Sequence, residues 1–79
     1  MACKDCIYKH LGQAKINADE AELGYPLHRV YVVGHLAEVE SELLDGHKPI
    51  AEIIREHRLM YMDGERIDFE SLVELMEVL

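Results

Sequence analysis

Apolar side chains recur every three or four residues along almost the whole chain, a period that fits helices and little else. In the first segment Ile7, Leu11, Ala14, Ala18 and Ala21 fall on one helical face. Gly24 follows Leu23 where a helix commonly stops, and Pro26 is placed to open the next, so LGYP reads as a tight turn between antiparallel helices. The second segment, Leu27 to Leu44, contains RVYVV, whose β-branched and aromatic make-up is that of a strand. Val32, Leu36, Val39 and Leu43 nevertheless carry one helical stripe through it, which favours a single long helix. Gly34, Ala37 and Ser41 form a small-residue strip on that helix, expected to let another helix approach closely. DGHKP breaks the pattern, and from Pro49 a third helix carries Ile50, Ile53, Ile54, His57 and Tyr61 on one face. MDGER is a second break. Asp68 then suits the N-cap of a last helix, Phe69 to Leu79, which gathers Phe69, Leu72, Val73 and Met76. The expected fold is all-α: a small antiparallel helical bundle of three main helices plus a short C-terminal helix, one domain over residues 1–79.

Size makes such a bundle marginal. A chain of 79 residues buries only about 60% of its unfolded surface, and small domains often add a disulfide, a metal or a partner subunit. Charge narrows the partners. Sixteen acids against eight bases give −8 with no basic stripe, which argues against direct nucleic-acid binding and against anionic membranes. The longest apolar run, Val30 to Val33, is far short of the roughly 18 residues a spanning helix needs. No export signal is visible, so the expected location is the reducing cytoplasm, where a C-x-x-C pair more often binds metal or does redox chemistry than forms a structural disulfide.

That pair lies in CKDCIYKH. On a helix, Cys3, Cys6 and His10 fall within a sector of roughly 60°, at the edge of the Ile7–Leu11–Ala14 stripe, and Gln13, Asn17 and Glu20 extend the polar row. Thiolates and imidazoles are the preferred ligands of zinc. Cys6 and His10 stand one turn apart, whereas a rigid helix would strand Cys3 about 10 Å from His10, so a non-helical first turn suits the site better. A fourth ligand must come from elsewhere. A turn centred near Tyr25 pairs residues whose numbers sum to about 50, within about four. That register sets Cys3 opposite His47, the first choice, and leaves His35 as the second, opposite Lys15 or Ile16. The expected metal ligands are therefore Cys3, Cys6, His10 and His47, with His35 as substitute, and the expected cofactor is zinc.

A second polar row, His28, His35, Glu38 and Glu42, runs along the second helix, where His35 and Glu38 would face Asn17 or Glu20. Bundles hold iron or manganese with Glu-x-x-His pairs used twice, and this chain has His-x-x-Glu once. Plainer readings compete with these. Free cysteine packs well in cores, the two thiols can also form a disulfide, His57 suits a hydrogen-bonded core position, and EVESELLDG reads as a solvated face. Covalent haem, thioredoxin-like exchange, phosphate loops, HExxH and nucleophile elbows are all missing from the sequence. The leading expectation is a zinc-stabilised helical module that binds another protein or itself as an oligomer. Its competitors are a metal-free interaction module with buried cysteines, and a small metal-dependent enzyme or metal or redox sensor. Catalysis is disfavoured, because so short a chain has little room for both core and cleft.

Overall fold

The computed structural model describes residues 3–79. Four helices follow in order: α1 (Lys4–Glu22), α2 (His28–Leu43), α3 (Lys48–Met62) and α4 (Phe69–Met76). There is no strand among the described residues, and RVYVV lies wholly within α2. Propensity loses there because Val32, Leu36, Val39 and Leu43 all become fully buried, and only a helix turns all four toward the same core.

Local chemistry sets the ends. The Gly24 N–H donates to the Ala21 carbonyl and the Tyr25 N–H to that of Glu20, closing α1 with Gly24 at a φ of 109°. The same paired bonds close α3, from Gly64 to Tyr61 and from Glu65 to Met60. Asp68 caps α4: its carboxylate accepts from the Ser71 N–H at 3.3 Å and from the Ser71 hydroxyl at 2.7 Å. Those two bonds hold the Asp68 carboxyl below the usual carboxylate range.

α2 packs against both α1 and α3, and α4 folds back onto α1. The buried side chains form one cluster: Ile7, Leu11 and Ala14 from α1, the four α2 residues, Ala51, Ile54 and Tyr61 from α3, and Phe69, Leu72 and Met76 from α4. Each large side chain removed from water in this way stabilises the fold by about 1.5–3 kcal/mol before entropy is counted. On α3, Ile50 and Ile53 are only half-buried, and Ala51 takes the core position beside Ile54. His57 is half-buried, its Nδ1 2.8 Å from the Ile53 carbonyl of its own helix.

Two expectations change. Gly34, Ala37 and Ser41 are exposed, on the side of α2 opposite its buried stripe, and a Cβ added at Gly34 would meet nothing within 4 Å. No helix among the described residues approaches there, because α1 and α3 both pack toward the apolar stripe. The acidic run is not uniformly solvated either. Glu40 accepts from the Arg58 guanidinium at 3.0 Å, with the two side chains only 17% and 22% exposed. No helix among the described residues is long and apolar enough to cross a membrane.

Candidate functional site

Cys3 stands just outside α1 in an extended conformation, φ −85° and ψ 102°, as its N-cap. Its sulfur accepts from the Cys6 N–H at 3.2 Å, and its carbonyl accepts from the Ile7 N–H at 3.0 Å. A non-helical Cys3 thus brings both sulfurs to the same end of the helix, where they are joined as a disulfide. The Cys3 N–H points away from α1 and donates to Glu42 Oε2 at 3.3 Å, in the last turn of α2.

One turn beyond Cys6, His10 meets His35 of α2. Their Nδ1 atoms are 3.2 Å apart and their ring centroids 5.4 Å, with the rings tilted by 38°. Three contacts now define the α1–α2 register: Cys3 with Glu42, His10 with His35, and Glu20 with His28 at 2.7 Å. The partners' numbers sum to 45–48 rather than 50, because α1 ends at Glu22 and the turn closes earlier than Tyr25. That shift corrects the expected pairings. Glu42 takes the place opposite Cys3, His35 takes the place opposite His10 rather than Lys15 or Ile16, and His28, not His35, meets Glu20. His47 instead forms the N-cap of α3, its carbonyl accepting from the Ile50 and Ala51 N–H groups. The two polar rows read separately along the sequence therefore run side by side. Cys3, Cys6 and His10 border Glu42, Glu38 and His35 along one edge of the hairpin. No group of three or more His, Cys, Asp or Glu side chains among the described residues is arranged to hold a metal ion.

The contact between the two rings bears on the protonation of His35. One Nδ1 can donate to the other only while at least one ring is neutral, since two protonated rings present two donors. Burial, and then the positive charge on His10, lower the pKa of His35 below its ordinary 6.5, with the Glu38 carboxylate opposing. At acid pH the unfolded chain therefore binds more protons here than the folded one, so folding is favoured as pH rises. The contribution of His35 is complete above about 6.5 and is lost as pH falls from there toward the lowered folded value. Thermal melts of the metal-free protein between pH 7.5 and 5 are expected to show a falling Tm, and His35→Gln should flatten that slope. An equally steep slope in the variant would show that other groups carry it.

Elsewhere, sequence reasoning missed Arg29 and Arg58. Arg29 reaches across from α2 to α3, stacking its guanidinium 4.4 Å from the Tyr61 ring centroid and donating to the Tyr61 carbonyl. Arg29 stands beside the α2 stripe and Arg58 falls in the three-and-four spacing of Ala51, Ile54 and Tyr61 on α3, so the signal for each was its place next to buried positions rather than any motif. A cleft of about 500 Å³ lies away from the thiols, between the second half of α1 and residues 64–70. Bases and acids both line it, among them Arg29, Arg66, Glu22 and Asp68. Comparison with protein-family models, with curated proteins and with solved structures finds no match to this chain.

Proposed function

We propose that the reduced chain binds a structural zinc ion through Cys3, Cys6, His10 and His35, and that the resulting clamp supports a helical module for protein interaction or self-association. One observation carries the reading: the 3.2 Å separation of the His10 and His35 Nδ1 atoms, one helical turn from Cys6. Two imidazoles on a tetrahedral zinc with bonds of 2.0–2.1 Å hold their nitrogens about 3.3 Å apart. The half-site C-x-x-C supplies two thiolates once the disulfide is reduced, and the extended backbone of Cys3 is the non-helical first turn that such a site calls for. Glu42, bonded to the Cys3 N–H, would orient that end from outside the ligand set. Metal-binding free energy adds to folding free energy, which is what a 79-residue chain with a small core needs. This reading belongs to a reducing compartment such as the cytoplasm.

The interaction role is supported by surface apolar groups at the turn end of the hairpin. Leu23, Leu27 and Val30 are 78%, 72% and 66% exposed, and Tyr25, Tyr31 and Met62 are more than half exposed. Clusters of large apolar residues left in water commonly mark contact surfaces with other proteins.

Protein purified under reducing, chelator-free conditions is expected to carry one zinc per chain and to lose thermal stability on chelation. Cys6→Ser and His35→Ala should each weaken zinc affinity by more than the about 10–100-fold typical of an outer-shell change, while Lys9→Ser and His47→Ala leave it unaltered. Zinc-free protein with a chelator-insensitive melt would refute the proposal. The Cys3–Cys6 bond favours a second reading, a metal-free helical module whose helix start is locked by the disulfide. Under that reading a thiol reductant alone, not a chelator, lowers the melting temperature.

A further inference from the structure

We infer that Cys3 and Cys6 form a dithiol–disulfide exchange site, in which Cys3 is the attacking sulfur and the substrate is an exposed disulfide of a cysteine-containing peptide. This activity stands apart from the zinc reading and goes beyond a permanent lock on α1: the bond between the two sulfurs is one state of a cycle. Three observations carry it. The first is where the bond lies. Both cysteines belong to the first turn of α1, so the bond joins no two elements of the fold. A closed loop with only two residues between its ends removes little entropy from the unfolded chain, and the bond contributes little as a staple. The helices are held together instead by the buried cluster that begins at Ile7.

The second observation is the charge around Cys3. The Cys6 N–H is aimed at the Cys3 sulfur at 3.2 Å, at the positive end of a 19-residue helix. In the reduced chain the same N–H and the same helix end favour thiolate over thiol, and the thiolate is the form that attacks. Two carboxylates oppose them: Asp5 in the first turn, and Glu42, which accepts from the Cys3 N–H at 3.3 Å. Lys4 lies next in the chain, with its ammonium 5.9 Å from the Tyr8 ring centroid. The third observation is access. Cys3 is exposed and Cys6 half-buried, so an incoming disulfide meets Cys3 and leaves Cys6 to complete the exchange. Their Cα atoms are 5.1 Å apart, within the ordinary span of a disulfide, so the backbone need not move as the bond opens and closes. Such exchange asks for a cysteine at a helix start beside an N–H donor, which an all-α chain supplies without any sheet.

The exchange balances. The Cys3 thiolate attacks one sulfur of the peptide disulfide; a mixed S–S bond forms, the peptide S–S bond breaks, and the departing thiolate takes a proton from water. Cys6, its own proton passed to water, then attacks the Cys3 sulfur; the Cys3–Cys6 bond forms, the mixed bond breaks, and the second peptide thiolate leaves and is protonated. Two electrons pass from Cys3 and Cys6 to the peptide disulfide, and the reverse sequence with two peptide thiols restores the dithiol. A helix start that favours the ionised, reduced sulfur makes the intrachain bond easier to reduce, and Glu42 pulls the other way.

The test uses the intact chain with a chelator present throughout, so that its failure and failure of the zinc reading are seen separately. Reduced and oxidised protein are each equilibrated without oxygen in graded mixtures of reduced and oxidised glutathione, then acid-quenched, alkylated and measured by intact mass. Expected is one two-electron transition between dithiol and intrachain disulfide, reached identically from both sides. Glu42→Gln should shift that equilibrium toward the dithiol by about two- to fivefold, the size of one exposed charge interaction. Cys6→Ser treated with oxidised glutathione should carry the adduct on Cys3. At neutral pH its Cys3 should react with iodoacetamide at least about fivefold faster than Cys6 does in Cys3→Ser. Circular dichroism confirms the helices of both variants, and serine at position 3 keeps a capping oxygen. An intrachain bond that survives reduced glutathione alone would overturn the inference, and so would a dithiol that oxidised glutathione leaves untouched. Equal alkylation rates at the two cysteines would remove Cys3 as the attacking sulfur and overturn it as well.

Discussion

Leu36→Ala is expected to destabilise the protein by about 2–5 kcal/mol, the range for truncating a fully buried leucine. Leu36 is 0% exposed and lies midway along α2, the helix that meets both α1 and α3. The void left there would border two helix interfaces rather than one, so collapse of a single neighbour cannot fill it. Domains of this length are stable by only about 4–12 kcal/mol in total. At about 4–8 °C per kcal/mol, the melting temperature should fall by about 8 °C or more. Urea or thermal unfolding followed by circular dichroism measures it directly. Gly34→Ala is the matched control on the opposite side of the same helix, where the added Cβ meets nothing. It should raise stability by up to about 1 kcal/mol, the difference in helix propensity. A Leu36→Ala melt within two or three degrees of the parent would mean that α2 is not the centre of the core.

The second large effect concerns Arg58 and Glu40. Their 3.0 Å contact joins α3 to α2 beside the core, and Arg58 Nε is buried without a hydrogen-bond partner. Removing the carboxylate leaves a guanidinium poorly hydrated and now unpaired. Loss of a fully buried ion-pair partner costs about 3–5 kcal/mol, and the residual exposure here brings the expectation for Glu40→Ala down to about 1–3 kcal/mol. Arg58→Met keeps the apolar stem and removes the charge, so it should cost less than Glu40→Ala. The double variant should recover most of the Glu40→Ala loss, since no stranded cation remains. A double-mutant cycle in urea tests this; strictly additive losses would show that the two side chains do not act as a pair.

Fold and site were legible to different depths, for a physical reason. Helices are announced locally. The stripe Val32–Leu36–Val39–Leu43, the stop at Gly24 and the cap at Asp68 each depend on residues a turn or two apart, and all appear where the sequence puts them. A site between helices depends on how the turn sets one helix against the next. One and a half turns of slip exchanges His47 for Glu42 opposite Cys3 and brings His35 to His10. The pair Glu20 and His28 held part of the missing information. An acid and an imidazole flank the tight turn at 2.7 Å, and favouring that pairing in sequence moves the sum to 48, part of the way to the 45 found at Cys3 and at His10. Glu40 was misjudged for a similar cause: its partner lies eighteen residues away on a helix whose facing side periodicity alone leaves open.

The packing order also bears on how the molecule assembles. α1 rests on α2 and α2 on α3, so each helix finds its principal neighbour next along the chain, and only α4 returns across the molecule to α1. Sequence-local topologies of this kind reach their native state in microseconds to milliseconds, because little loop entropy is lost before contacts begin to form. The α1–α2 hairpin, and with it the edge that carries both cysteines, makes its own interface without a contact from α3. α4 then packs onto a hairpin whose cysteine-bearing edge is already in place.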